Sequence, residues 1–259
     1  MLVHGYGGST FDWRFQGETL ARAGVETWAL DLPPFGWSAL EDPFPKGAAA
    51  RARLLAACLD AVDLSRGRET GGAWILVGHS LGSRVVSYFA IEHPARVDRL
   101  VLVSPAMTTW IPSFGVLDWP LVRGIAGAVT RAYVGSDGAM RIIMRKAYGR
   151  EPTKEEEAGH DAPYRRPGSA EAFMAWNAAP KELTGPEPGA IPCPVLVVFG
   201  DRDRIADPAQ GPKIVAALPG SRLVIVPGGG HLVLESQHEE VSAAILAWLD
   251  EIAPQEKKN

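Results

Sequence analysis

Ser80 stands at the centre of Gly78-His79-Ser80-Leu81-Gly82, a G-x-S-x-G pattern. A serine hydroxyl is a weak nucleophile near neutral pH. It attacks a carbonyl only when a base takes its proton and an acid orients that base. The pattern carries a mechanism when the serine sits on a sharp turn between a strand and a helix, with glycines letting the two approach closely. Both flanks fit. Trp74 to Val77 is a short apolar run suited to a buried strand, and Leu81, Val85, Tyr88 and Phe89 recur at helical spacing until His93-Pro94 stops them.

The candidate bases are His4, His79, His93, His160, His231 and His238. His93 is explained by helix termination, and His238 falls on a helix start. His231 ends the loop Pro227-Gly228-Gly229-Gly230, directly after an apolar strand. In a parallel sheet the loops after strand C-termini gather on one edge, so His231 and Ser80 are expected to share it. The acid should come from that edge too. Asp201, Asp203 and Asp207 all follow the strand ending at Phe199; Asp207 reads as the N-cap before Pro208, and spacing alone does not separate Asp201 from Asp203. Asp31 lies at the same edge but precedes the serine and reads as ordering its own turn.

The elements that must position these groups alternate regularly. Leu2-Val3 reads as a strand end, followed by the loop His4-Gly5-Tyr6-Gly7-Gly8, whose glycines let backbone N–H groups approach a ligand. A helix from about Asp12 to Ala23 ends at Gly24, and Val25 to Leu30 reads as a strand. Further helices are expected from Ala48 to Val62 and over the last segment through Ile252, and further strands over Arg99–Val103, Pro194–Phe199 and Leu223–Val226. This order predicts an α/β fold, a mainly parallel sheet of about six strands with helices on both faces.

Between residues 106 and 188 the rhythm breaks. No strand is evident there, and the stretches Leu121–Tyr133, Ala139–Tyr148 and the charged run at Lys154–Glu157 read as helical. The segment reads as a helical cap inserted into a core formed by residues 1–105 and 189–259. Trp110 and Trp176 within it are candidate substrate contacts.

Other chemistries find little support. The formal net charge is −4 with both signs interspersed, so no nucleic-acid surface is expected. No run is long enough and apolar enough to span a membrane, and no leader is visible, so a cytoplasmic location is expected. There is no H-E-x-x-H and no cysteine pair at ligand spacing, so no metal is expected; Cys58 and Cys193 read as free thiols. Gly5-Tyr6-Gly7 with Asp31 imitates a dinucleotide fingerprint, but Thr10 stands where its third glycine belongs.

The order Ser80, an acid after a later strand, then Gly230-His231, with His4-Gly5 after an early strand, resembles the α/β-hydrolase superfamily, in its capped esterase, epoxide-hydrolase and C–C-hydrolase branch. The resemblance covers residues 1–105 and 191–252. It implies that the acid of Gly-x-x-Asp is Asp203, after Gly200, and that the backbone N–H groups of Tyr6 and Leu81 form an oxyanion hole. It implies no cofactor and a small-molecule ester as substrate, handled by a monomer or homodimer. Ser80 occupies the position where epoxide hydrolases and haloalkane dehalogenases carry aspartate, and Leu232 replaces the tryptophan frequent after the histidine in C–C hydrolases. The Asp-x-Pro-Gly-x-Gly pattern reads Asp31-Leu32-Pro33-Pro34-Phe35-Gly36. An ester hydrolase is therefore expected; C–C bond hydrolysis and a ligand-binding receptor-like module with weak turnover are the alternatives. Members of this superfamily usually carry two strands before the one ending at His4. Their absence makes Val25–Leu30 an expected exposed edge and suggests that Met1 is internal to a longer gene.

Overall fold

A computed structural model describes residues 1–41, 43–107, 137–178 and 185–252. Six strands form one sheet: β1 (Leu2–Val3), β2 (Ala29–Leu30), β3 (Trp74–His79), β4 (Val97–Val103), β5 (Val195–Gly200) and β6 (Arg222–Val226). All pairings are parallel, in the order β2-β1-β3-β4-β5-β6. Alternation of side chains divides the core into two layers. Leu76, Leu100, Leu102, Val195 and Val197 face one way and pack on α2 (Ala48–Ser65) and α3 (Leu81–Glu92) through Leu55, Leu59, Val85 and Phe89. Val77, Val101, Val103, Leu196 and Val198 face the other way, onto Leu20 of α1 (Arg14–Arg22) and Val241, Ile245 and Trp248 of the C-terminal helix His238–Ile252. Central strands buried on both faces explain why they read as unbroken apolar runs.

Register decides where the loops emerge. Val3 pairs with Gly78, His79 with Val103, Val103 with Val198, and Gly200 with Val226. The C-terminal ends of β1, β3, β5 and β6 are thus level, and the loops bearing Tyr6, Ser80, Asp203 and His231 leave from one edge.

Three helices of the inserted segment are described: α4 (Asp137–Tyr148), α5 (Lys154–Asp161) and α6 (Ser169–Ala178). Thr153 and Glu156 form a reciprocal capping box at the start of α5. The segment lies across the loop edge: the Tyr164 hydroxyl donates to Gly7 O at 2.7 Å, and Arg166 donates to Gly36 O and Ser38 O. The helix expected over Leu121–Tyr133 lies outside the described residues. Beyond this segment, α7 (Gly211–Ala216), α8 (Val233–Ser236) and α9 (His238–Ile252) complete the described residues.

The strand expected over Val25–Leu30 is only Ala29–Leu30. Leu2 and Val3 are its sole partners in β1, Val25 N–H instead closes the end of α1 on Leu20 O, and Glu26 is drawn outward to Arg66 and Arg68. It does stand at a sheet edge, and its shortness itself limits pairing with another chain. Asp31 orders its surroundings as expected, accepting from Thr10 N–H and Trp37 N–H. Among the described residues no helix is long and apolar enough to cross a membrane, and both cysteines are free.

Candidate active site

Ser80 is held at φ 50°, ψ −111° between β3 and α3, in left-handed space that a non-glycine residue seldom occupies. The strain is enforced by packing on both sides. A Cβ on Gly82 would lie 2.2 Å from Val3 O, and one on Gly78 would lie 2.6 Å from the Gly82 carbonyl carbon, so only glycine lets helix and strands meet this closely. Ser80 N–H donates to Val103 O at 3.0 Å, tying the turn to the next strand.

His231 Nε2 lies 3.0 Å from Ser80 Oγ, and His231 Nδ1 lies 2.8 Å from Asp203 Oδ2. The three side chains come from three loops on the same edge and are all largely buried. The other oxygen of Asp203 accepts from Ile205 N–H (2.8 Å) and Ala206 N–H (2.9 Å). Burial works against its charge, but the hydrogen bond and charge of His231 and these two N–H groups outweigh it and hold the carboxyl below its ordinary range. A carboxylate on Nδ1 keeps that nitrogen protonated and leaves Nε2 to accept the serine proton. Asp201 turns elsewhere and accepts from Gly228 N–H at 2.7 Å, bracing the loop before His231.

Two further histidines support this geometry without joining it. His4 Nε2 accepts from Leu32 N–H at 2.9 Å, so Nδ1 carries the proton and donates to Gly5 O at 2.7 Å, fixing the glycine loop. Burial lowers the His4 pKa to about 4 and the ring is neutral. His79 Nε2 donates to His231 O at 3.0 Å. Burial, with His231 next, lowers its pKa to about 3. His79, a candidate base by sequence, thus holds the backbone of the residue paired with its neighbour.

A cavity of about 160 Å³ opens beside Ser80; Gly5, Tyr6, His231, Leu232, Met144 and Ile205 are among its walls. Tyr6 lines it directly. Leu81 is the first residue of α3, so its N–H has no intrahelical acceptor, and it stands at the positive end of the helix dipole. The Tyr6 ring packs at 5.1–5.5 Å on Trp176, Phe173 and Phe35. Trp176 is fully enclosed, tilted against Tyr6 with the Arg51 guanidinium over its ring. The indole fills the space beneath Tyr6 and is not among the walls of this cavity. Trp110 lies outside the described residues.

The family described as the alpha/beta hydrolase fold matches residues 1–237 of this sequence. The chain belongs to that family. Among curated relatives, the pimeloyl-[acyl-carrier protein] methyl ester esterase of Neisseria meningitidis serogroup B is 31% identical, over 94% of this chain and 89% of its own. The 2-hydroxy-6-oxononadienedioate/2-hydroxy-6-oxononatrienedioate hydrolase 1 of Dechloromonas aromatica is 25% identical, over 96% and 86%. Among solved structures, a thermophilic esterase from Thermogutta terrifontis superposes with a TM-score of 0.74 at 24% identity, covering 98% of this chain and 89% of that one. This α/β hydrolase therefore has esterases and C–C hydrolases as homologues, and hydrolysis is the chemistry they share by name.

Proposed function

We propose that this α/β hydrolase is a serine hydrolase that cleaves carboxylic esters of small to medium apolar substrates through an acyl-enzyme. The observation that carries the reading is the hydrogen-bonded series Ser80–His231–Asp203, with the serine on a strained turn at the mouth of a cavity. As Ser80 Oγ bonds to the ester carbonyl carbon, its proton passes to His231 Nε2, and Asp203 stabilises the imidazolium. The carbonyl oxygen gains negative charge, and the N–H groups of Tyr6 and Leu81 donate to it. His231 then returns the proton to the departing alcohol. Water, deprotonated by the same imidazole, releases the acid and restores Ser80. Every proton and electron pair is accounted for by side chains, the ester and water, so no cofactor is needed.

Esters are favoured over carbon–carbon bonds by two observations. The methyl ester esterases are 30–31% identical to this chain while the named C–C hydrolases are 25–26% identical, and a modest cavity suits a short acyl group. An aryl fluorophosphonate should label Ser80 stoichiometrically, and Ser80→Ala should lose roughly three orders of magnitude or more in kcat on p-nitrophenyl esters of graded acyl length. Labelling elsewhere, or an active alanine variant, would overturn the assignment. Turnover of ring-cleavage diketone acids in preference to the ester panel would move the reading to C–C hydrolysis.

A further inference from the structure

The cavity beside Ser80 has a polar wall that the triad does not use. Asp12 and His160 line it together with Ser80 and His231. His160, on cap helix α5, is buried with Nε2 2.9 Å from Glu235 Oε1 and Nδ1 3.7 Å from Asp12 Oδ1. Glu235 also accepts from the Tyr148 hydroxyl of α4 at 2.6 Å and pairs with Arg14. Three of these side chains, Asp12, His160 and Glu235, are donor types that hold metals, with ligand atoms within 4.8 Å of one another. The ring, however, points its two nitrogens at two different carboxylates, and Arg14 already brings a cation to Glu235. Nε2 is within ion-pair reach of Glu235, while Nδ1, at 3.7 Å, faces the Asp12 carboxyl without a hydrogen bond.

The two carboxylates belong to the two halves of the catalytic machinery. Asp12 Oδ1 accepts from Ser9 N–H at 3.1 Å, and its Oδ2 sits 2.3 Å from where a Cβ on Gly8 would stand, so Asp12 fixes the end of the Gly5–Gly8 loop that carries Tyr6. Glu235 lies on α8, which starts two residues after His231. Glu235 N–H bonds to Leu232 O at 3.0 Å, and Leu232 N–H bonds to Ala147 O of α4 at 3.0 Å. We propose that His160 is a positioning residue: one cap side chain, seated between Asp12 and Glu235, sets the oxyanion loop and the His231 loop at their working separation. This rests on the serine-hydrolase reading. The groups facing His160 are Asp12, Arg14, Tyr148 and Glu235, with Arg150 behind Tyr148 on Glu156. Burial opposes the charge on His160, but Glu235 and then Asp12 outweigh it and raise its pKa above 6.5. The link therefore weakens as pH rises through that raised value.

The test uses the full chain with His160→Phe, His160→Gln and Asp12→Asn. With p-nitrophenyl esters, each variant should lose about ten- to a hundredfold in kcat with KM changed less than about threefold, since misplacing reacting groups costs rate more than binding. Phosphonylation of Ser80 by a fluorophosphonate should slow in parallel. The decline of wild-type kcat on the alkaline side should disappear in His160→Phe, and the downfield proton resonance of His231 Nδ1–H should broaden. A folded His160→Phe protein with wild-type kcat and wild-type phosphonylation rate overturns the proposal, even if its melting temperature falls. Should His160→Phe not fold, wild-type kcat in His160→Gln or in Asp12→Asn does the same. If the wild type is neither labelled nor active, the serine reading has failed, and the His231 resonance alone decides whether His160 positions that loop: an unchanged resonance in His160→Phe overturns it.

Discussion

Asp203 and Asp201 are two residues apart on one loop, yet their surroundings differ completely. Asp203 spends one oxygen on His231 and the other on two backbone N–H groups, whereas Asp201 reaches only Gly228 N–H. Asp203→Asn should therefore cut kcat by about three to four orders of magnitude, because an amide N–H facing Nδ1 favours the wrong tautomer. Asp201→Asn keeps an acceptor oxygen for Gly228 and should retain most activity. Steady-state kinetics of the two variants checks this, and the reverse ranking would move the acid to Asp201. Ser80 and His231 were legible because each sits in a short pattern of its own, an elbow and a glycine-rich strand exit. His160 and Glu235 were not. Their chemistry depends on partners far away in the chain, and the charged run Lys154–Glu157 before His160 reads only as helical.

At the scale of elements, the Ser80 turn is set by how closely α3 crosses β1 and β3. Gly82→Ala would put a methyl 2.2 Å from Val3 O and 2.6 Å from His4 O, both backbone atoms that no side-chain rotation can move. The crossing would have to open, at a cost of about 1–3 kcal/mol or more, the range for overpacking a close contact. Chemical denaturation should show that loss with an unchanged m-value, and kcat should fall further than the folded fraction explains, since His4 and Gly5 would shift with the strand. Gly17→Ala, on α1 with nothing within 4 Å of the added methyl, should be neutral or mildly stabilising and serves as the control. The alternation of apolar strands and amphipathic helices made the parallel sheet readable, down to its six strands. Strand length was less readable. Val25 to Thr27 has strand-like composition, but a strand needs a paired neighbour, and β1 offers only Leu2 and Val3.

For the whole molecule, the buried titratable groups make stability depend on pH, with different groups acting on the acid and alkaline sides. His4 and His79 are folded with pKa values of about 4 and about 3, against 6.5 when unfolded. A lowered base contributes stability above its unfolded pKa and loses it as pH falls toward the folded value, so both groups destabilise the fold progressively below about pH 6.5. Asp203 and Glu235 have lowered carboxyl pKa values and add to the acid side only once pH drops below their ordinary values near 4. Asp12, raised to about 7 by burial, acts oppositely: the fold retains its proton while the unfolded chain has lost it, so stability declines from about pH 4 to pH 7. Two histidines outweigh this one carboxyl between about pH 4 and 6.5, and the net slope there is upward. Above 6.5 the histidine contribution is complete, while His160, whose charge burial opposes and Glu235 and Asp12 favour more strongly, starts to lose the stability tied to its proton. The buried Met1 ammonium, lowered by burial to about 5, gains stability over the same range up to about pH 8 and opposes that loss. Thermal unfolding from pH 4 to 9 in buffers of matched ionic strength should show the acid-side rise, which His79→Asn should make shallower. The difference in stability between wild type and His160→Gln should shrink as pH rises above 6.5. A difference that stays constant from pH 6.5 to 9 would mean that His160 is not held as an imidazolium between Asp12 and Glu235.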